Sequence, residues 1–276
     1  MKQKNLTIKN HSPPNKREAP TSWDDVAAWY DGWMGQKGGD YHRQIAIPAL
    51  LRLLNPQKRE TVLDIGAGQG VLAPYLQKVG MEYVGIEASP KLVSRAKKRH
   101  CQARFMHGDA RALAKIAGVK QGGFDTAVFL LSIQDMDPLD VVLQNASWAL
   151  KAGGRLVILM THPCFRIPRQ SGWGWDKRRK LRFRRIDSYL TTLRVPLQPK
   201  KQGKRSGQTC SFHRPLQAYI NGLADNGLFV ERIQEIPVKN VAELANGRLK
   251  ADKRASTEIP LFLGIRARKI ERTGSP

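Results

Sequence analysis

The chain has 276 residues, 41% of them apolar, and a formal net charge of +24 from 47 Lys and Arg against 23 Asp and Glu. That length fits one α/β domain with additions or two small domains, and the apolar share excludes a chain that stays disordered. No run reaches the roughly 20 apolar residues of a membrane-crossing helix, residues 1–20 lack the apolar stretch of a secretory signal, and Cys101, Cys164 and Cys210 stand too far apart for a zinc site or a disulfide framework. The expected setting is therefore reducing and cytoplasmic.

Residues 1–20, with Pro13, Pro14 and Pro20 among polar neighbours, read as a flexible basic tail. From Trp23 the spacing of Val26, Ala27, Trp29 and Tyr30 predicts a helix that Asp24 or Asp25 caps. After a break at Gly35, Gly38 and Gly39, a second helix covers 45–54 with Pro48 in its first turn, and together these form an N-terminal helical cap over 21–60. An α/β alternation follows. Strands are expected at 61–65, 83–87, 104–108, 124–131 and 155–160. Helices are expected at 70–79, 90–100 and 139–150, the last stopped by Gly153 and Gly154. Strands that are apolar throughout and alternate with helices indicate a parallel sheet covered on both faces.

Residues 165–213 break that rhythm and hold only modest strand-like pieces, at 181–183 and 190–195. Between Arg166 and Arg214 stand fifteen Lys or Arg and two acids, Asp176 and Asp187, a net +13 that is more than half of the total charge. The charge thus belongs mainly to one inserted region. Its Trp173, Trp175 and Phe183, interleaved with Lys177, Arg178, Arg179, Lys180, Arg182, Arg184 and Arg185, suit three readings. They could stack on bases and grip phosphates, bind an acidic or aromatic small molecule, or form a solvated basic lid. A helix at 215–226 and strands at 229–236 and 259–268 close the pattern.

The first strand ends in Asp64-Ile65-Gly66-Ala67-Gly68-Gln69-Gly70. Glycines let a backbone turn sharply beneath a ligand at a helix N-terminus. A dinucleotide turn would read GxGxxG; here the third glycine comes one residue early, and Asp64 precedes the turn. A carboxylate in that place repels a pyrophosphate and suits a ligand bearing a sulfonium and an ammonium group. Glu87 closes the second strand, where an acid can accept hydrogen bonds from both ribose hydroxyls. Gly108-Asp109-Ala110 follows the third strand and offers a carboxylate to an adenine amino group, and LKAGGRLV leads into the fifth strand.

Taken together, these motifs resemble those of class I S-adenosylmethionine-dependent methyltransferases of the type 11 subgroup, over residues 23–269. The stretches that carry the likeness are VLDIGAGQG, GIEAS, GDA, LKAGGRLV, His162-Pro163-Cys164-Phe165, HRPLQAYINGLADNGLFVERIQE and IPLFLGIRARK. The resemblance implies a Rossmann-like α/β fold with a seven-stranded, mostly parallel sheet, helices on both faces and an antiparallel pair at one edge. It implies a cofactor-binding core at 61–164, a basic lid at 165–213 and a closing helix with the strand pair at 214–270. S-adenosylmethionine is the implied cofactor. Asp64, Gly66, Gly68 and Gly70 would surround its methionyl part, Glu87 its ribose and Asp109 its adenine, with Ala67, Ala88, Ala110 and Leu131 among the contacts; no metal is implied.

Methyl transfer needs alignment and exclusion of water, and needs a base only for a hydroxyl or acidic-carbon acceptor. By position His162, just past the fifth strand, leads, and Asp135 and Gln134 follow the fourth; Tyr41, His42 and His213 are further candidates, and each also has a plain structural reading. The Asn-Pro-Pro-Tyr type motif of amino-group methylation is absent where Leu131-Ser132-Ile133-Gln134 stands, and Cys164 follows the fifth strand rather than the fourth, so it reads as a turn cysteine. The expected function is methyl transfer to a small-molecule acceptor, acidic or aromatic. The alternatives are an RNA methyltransferase that grips RNA with the insertion and a non-catalytic protein that binds the cofactor.

Overall fold

A computed structural model describes residues 23–35, 38–197, 209–238 and 249–270. The tail at 1–20 and the part of the insertion at 198–208 lie outside the described residues. The chain opens with α1 (Trp23–Met34), then a π-helical turn (His42–Ala46) that runs directly into α2 (Ile47–Leu54). The alternation is β1 (Thr61–Ile65), α3 (Ala73–Val79), β2 (Glu82–Glu87), α4 (Pro90–Arg99), β3 (Arg104–His107), β4 (Phe124–Leu130), α5 (Leu139–Ala149) and β5 (Leu150–Thr161). The insertion forms β6 (Ser171–Asp176), β7 (Leu181–Ile186), β8 (Leu193–Leu197) and β9 (Thr209–His213). The chain then closes with α6 (Leu216–Asp225), β10 (Leu228–Ile236), α7 (Leu249–Glu258) and β11 (Phe262–Lys269).

Seven strands make one sheet in the order β3-β2-β1-β4-β5-β11-β10. All neighbours from β3 to β5 are parallel, and β11 runs antiparallel to both β5 and β10. Each strand feeds one core on either face because side chains alternate along it. Leu63 and Ile65 of β1 join Phe129, Ile158, Leu143 and Tyr219 on one side. Val62 joins Val128, Val157, Leu50 and Leu76 on the other. Burying each such side chain contributes about 2 kcal/mol. The same alternation turns Asp64 toward the Val62 side, where Tyr83 waits.

Of the element ends that differ from expectation, two have clear local reasons. Residue 70 does not open α3, because Gly70 has φ +81° and α3 starts only at Ala73. Helix α5 stops at Ala149, ahead of Gly153 and Gly154, because Leu150 already pairs with Phe124 in the sheet. The Lys269 ammonium donates to the carbonyls of Ser147 and Leu150 at 2.7 and 2.8 Å, placing a cation at the helix end.

The insertion is two antiparallel hairpins, β6–β7 and β8–β9, each outside the main sheet. In the first, the Trp173 ring is covered by the guanidinium groups of Arg166, Arg182 and Arg184 at 5.1, 4.7 and 5.3 Å. Arg182 also pairs with Asp252 of α7 at 2.7 Å, which seats that helix beside the hairpin.

Candidate active site

At the carboxyl edge of the sheet lies a cavity of about 400 Å³. Its wall begins with the turn after β1. The N–H groups of Gly66 and Ala67 both donate to the Ile86 carbonyl at 2.9 Å, folding the turn back over β2. Gly66 has φ +76°, and a Cβ there would come within 2.6 Å of Ser132 Cβ and 2.7 Å of Met136 Cε, so only glycine fits. Ser132 in turn donates to the Ile65 carbonyl at 2.7 Å, fastening the end of β4 to the end of β1. Leu131, also on the wall, holds φ +54°, a strained left-handed backbone fixed by its N–H bond to the Leu159 carbonyl at 2.7 Å.

Glu87, buried at the end of β2, accepts the Gly68 N–H at 2.9 Å and the Ser89 N–H at 2.8 Å. Burial pushes its carboxyl above the usual range, against the pull of those amides. Asp109 accepts the Arg111 N–H at 2.8 Å and takes its guanidinium on both oxygens. Burial pushes that carboxyl up, but the Arg111 hydrogen bonds and charge more than offset it and hold it below the ordinary value. Asp135, partly open to the cavity past β4, is pushed up to about 7, first by burial and then by the nearby Glu87, against a hydrogen bond from Ser211 and the Arg214 charge.

Asp64 stands just behind this wall. It is 2% exposed, its Oδ2 accepts the Tyr83 hydroxyl at 2.6 Å, and its Oδ1 has no hydrogen-bond partner among the described residues. Burial drives it up to about 7, with Glu87 adding to the effect. Tyr30 of α1 joins the same group. Burial raises its hydroxyl, and so do the charges of Glu87, Asp135 and Asp64. Its ring also lies over the turn, 3.7 Å from where a Gly68 Cβ would sit.

Helix α1 is tied across the opening. The Asp24 carboxylate does not cap its own helix; it accepts the Ser89 hydroxyl at 2.8 Å and the Lys91 N–H at 3.1 Å at the start of α4, and pairs with the Lys91 ammonium at 3.0 Å. Asp31 pairs with Arg99 at 2.7 Å, Arg99 donates to Gln69 at 2.6 Å, and Gln69 donates to the Gly35 carbonyl at 2.6 Å. The opposite wall comes from the second hairpin through Arg194, Thr209, Cys210 and Phe212.

Of the residues expected from sequence, Gly66, Gly68, Glu87, Ala88, Asp109, Ala110, Leu131 and Asp135 line this one cavity. Asp64, Ala67 and Gly70 do not reach its surface. A Cβ on Gly70 would come within 2.5 Å of the Phe105 ring, so that glycine serves packing against β3. His162 is also elsewhere. It is 2% exposed, its Nδ1 accepts the Cys164 N–H at 3.2 Å and its Nε2 meets Glu235 at 2.9 Å, which commits both ring nitrogens. Burial holds its pKa below the ordinary value. Among the other base candidates, Gln134 donates to the Leu131 carbonyl at 2.8 Å, His213 meets the Tyr189 carbonyl at 2.7 Å, and neither they, His42 nor Tyr41 line the cavity. Sequence reasoning missed Tyr30, whose only signal was its place in the cap helix, and did not single out the hairpin residues Arg194, Thr209, Cys210 and Phe212, though the segment that holds them was read as a lid. No cluster of three or more His, Cys, Asp or Glu suited to a metal ion occurs among the described residues.

A family profile described as a methyltransferase domain matches residues 40–194, more than half of the chain. Curated relatives include an uncharacterized methyltransferase of Synechocystis, 31% identical over 116 residues that cover 41% of this chain and 50% of that one. The demethylmenaquinone methyltransferase of Thermotoga maritima is 29% identical over 152 residues, 54% of this chain and 63% of that one. The chain spans about half the length of the curated relatives it matches. Among solved structures, an S-adenosylmethionine dependent methyltransferase from Mesorhizobium loti superposes with TM-score 0.62 at 22% identity, over 80% of this chain and 96% of that one. The 1,6-didemethyltoxoflavin-N1-methyltransferase of Burkholderia thailandensis, with 1,6-didemethyltoxoflavin and S-adenosylhomocysteine bound, gives 0.52 at 14% identity over 94% of each chain. At such identities the likeness is one of fold.

Proposed function

The chain belongs to the methyltransferase domain family, on the fold of class I S-adenosylmethionine-dependent enzymes, and from that premise we propose that it transfers a methyl group from S-adenosylmethionine to a small-molecule acceptor. The observation that carries this reading is the sign of the charge in the cavity. In a chain of net charge +24, the carboxylates of Glu87 and Asp135, with Asp64 behind them, converge where the glycine turn opens. Burial raises all three, so each gains from a cation placed among them. The turn is open at Gly68, where a Cβ would meet nothing nearer than the Tyr30 ring at 3.7 Å, so a ligand in the cavity can approach the backbone there.

In this reading the Gly66–Gly68 turn holds the methionyl part, Glu87 the ribose and Asp109 the adenine. When bound, S-adenosylmethionine supplies a methyl carbon made electrophilic by positive sulfur. The protein's share is alignment and dryness. Helix α1, tied down by Asp24 and Asp31, covers one side, and the β8–β9 hairpin covers the other. Asp135 is the cavity carboxylate set near neutrality, where a group can hold or release a proton, and we assign it the proton of the acceptor.

A small acceptor is favoured over RNA by the relatives rather than by the first hairpin, which covers Trp173 with three arginines but leaves Trp175 and Phe183 exposed. The demethylmenaquinone and 1,6-didemethyltoxoflavin enzymes each carry the name of a small acceptor. No helix among the described residues is long and apolar enough to cross a membrane. A labelled-methyl assay against matched metabolite and RNA fractions tests the reading. Label should enter the metabolite fraction, and Asp135→Asn should abolish that transfer even at S-adenosylmethionine concentrations that saturate the variant. Label confined to RNA would refute it.

A further inference from the structure

The β6–β7 hairpin contributes no residue to the cavity wall. It is nonetheless firmly built. Of the arginines that cover Trp173, Arg184 also donates to the Phe165 carbonyl at 2.7 Å and to the Ser171 hydroxyl at 2.8 Å, and Arg182 pairs with Asp252. The turn at 177–180 is held by the Asp176 carboxylate, which accepts the Arg179 N–H at 2.9 Å. That turn reads Lys177-Arg178-Arg179-Lys180, all four exposed, and none of their side chains has a partner among the described residues. Two rings stand behind the turn, Trp175 and Phe183, 39% and 40% exposed. Trp175 is registered with Arg182 and Phe183 with Gly174, adjacent pairs of the ladder, so the two rings leave opposite faces of the ribbon. Phe183 lies down across its partner, where a Cβ on Gly174 would come within 2.4 Å of the ring. The acids nearby are engaged: Asp176 in the turn, Asp187 with Arg185 at 2.8 Å and Asp252 of α7 with Arg182 at 2.7 Å. Helix α7 adds Lys253 and Arg254 against Glu258.

We propose that the β6–β7 hairpin is a docking site for single-stranded nucleic acid, with bases stacked on Phe183 and Trp175 and phosphates on the cations at 177–180. Each feature answers one part of that ligand. Unpaired bases offer planar faces to aromatic rings, and a row of phosphates answers a row of unpartnered cations. A bilayer fits less well. The turn stands beyond both rings, so its four charges would enter the membrane before either ring did. A planar surface also meets only one face of the ribbon, whereas a flexible strand can pass over the turn and reach both. A duplex keeps its bases stacked on one another and leaves the rings nothing to cover. The strand would lie on residues that the cavity does not share, so the site is independent of the acceptor and of methyl transfer.

Fluorescence anisotropy of the full chain with a labelled, unstructured RNA of about 12 nucleotides, and with DNA of the same sequence, tests this. Binding of either strand supports the proposal, and the tighter arm names the source. Trp175→Leu and Phe183→Leu should each weaken binding at least about fivefold, the low end for one stacked base. Phe183→Tyr keeps a ring and should bind like the parent. Lys177→Gln, Arg178→Gln, Arg179→Gln and Lys180→Gln combined should flatten the slope of log affinity against log salt by about 2 to 3. Amide exchange across β6–β7 follows the fold of the hairpin; should Phe183→Leu loosen it, Trp175→Leu carries the test. Four results would overturn the proposal: no binding of either strand in low salt, ring variants that bind as tightly as the parent, polyphosphate of equal charge competing as well as the RNA, or tighter capture by vesicles of phosphatidylcholine and phosphatidylglycerol than by either strand.

Discussion

Gly66 and Glu87 show how little freedom the site's backbone has. The turn at Gly66 needs φ +76° and leaves no room for a methyl group against Ser132 and Met136. Gly66→Ala should therefore cost about 1–3 kcal/mol of stability, read as a lower midpoint in urea unfolding with an unchanged slope. Glu87 holds the Gly68 and Ser89 amides, so its carboxylate is aimed ahead of any ligand. The acids also set a pH dependence. Asp64 and Asp135 stand at about 7 in the fold against 3.8 in an unperturbed chain, so between about pH 4 and 7 the folded state keeps protons that the unfolded chain has lost. Their contribution to stability thus falls as pH rises through that window. A bound cation favours their ionised forms, so S-adenosylmethionine binding should release protons near pH 6.5. Calorimetry in two buffers of different ionisation enthalpy measures this; proton uptake would contradict the assignment.

At the scale of elements, α1 is the cover whose attachment can be weakened without touching the sheet. Its bond to α4 through Asp31 and Arg99 is a half-buried pair at 2.7 Å. Asp31→Ala should speed amide hydrogen exchange throughout α1 and leave β1 and β4 protected, with a stability loss near 1 kcal/mol. The elements of the sheet were legible because short, mostly apolar runs such as Thr61–Ile65 alternate with helical patterns. The glycine turn, Glu87 and Asp109 were legible because each ends a strand, and strand ends converge. What sequence did not disclose has physical reasons. Strand β6 hides behind Gly172 and Gly174, glycines that lower strand propensity, and Gly174 lies beneath the Phe183 ring. Helix α7 is polar almost throughout and lacks an apolar period. Position after β5 promoted His162, but its ring turns toward Glu235 at the sheet edge, and only the packing of β10 decides that. Tyr30 and Arg194 reach the cavity by tertiary placement of a cap and a hairpin, which no local spacing encodes.

For the molecule as a whole, charge is sorted rather than spread. The segment from Arg166 to Arg214 carries more than half of the net +24, while the cavity it helps to close gathers carboxylates on its floor. A sheet of seven strands supplies the rigid edge, and the pieces added before and after its parallel part supply the cover. Titrating the full chain with S-adenosylmethionine by calorimetry tests the central claim most directly. The expected result is one molecule bound per chain, with Glu87→Ala weakening it at least about tenfold and leaving the protein folded. A folded parent chain that gives no binding heat, or a Glu87→Ala variant that binds as tightly as the parent, would contradict it.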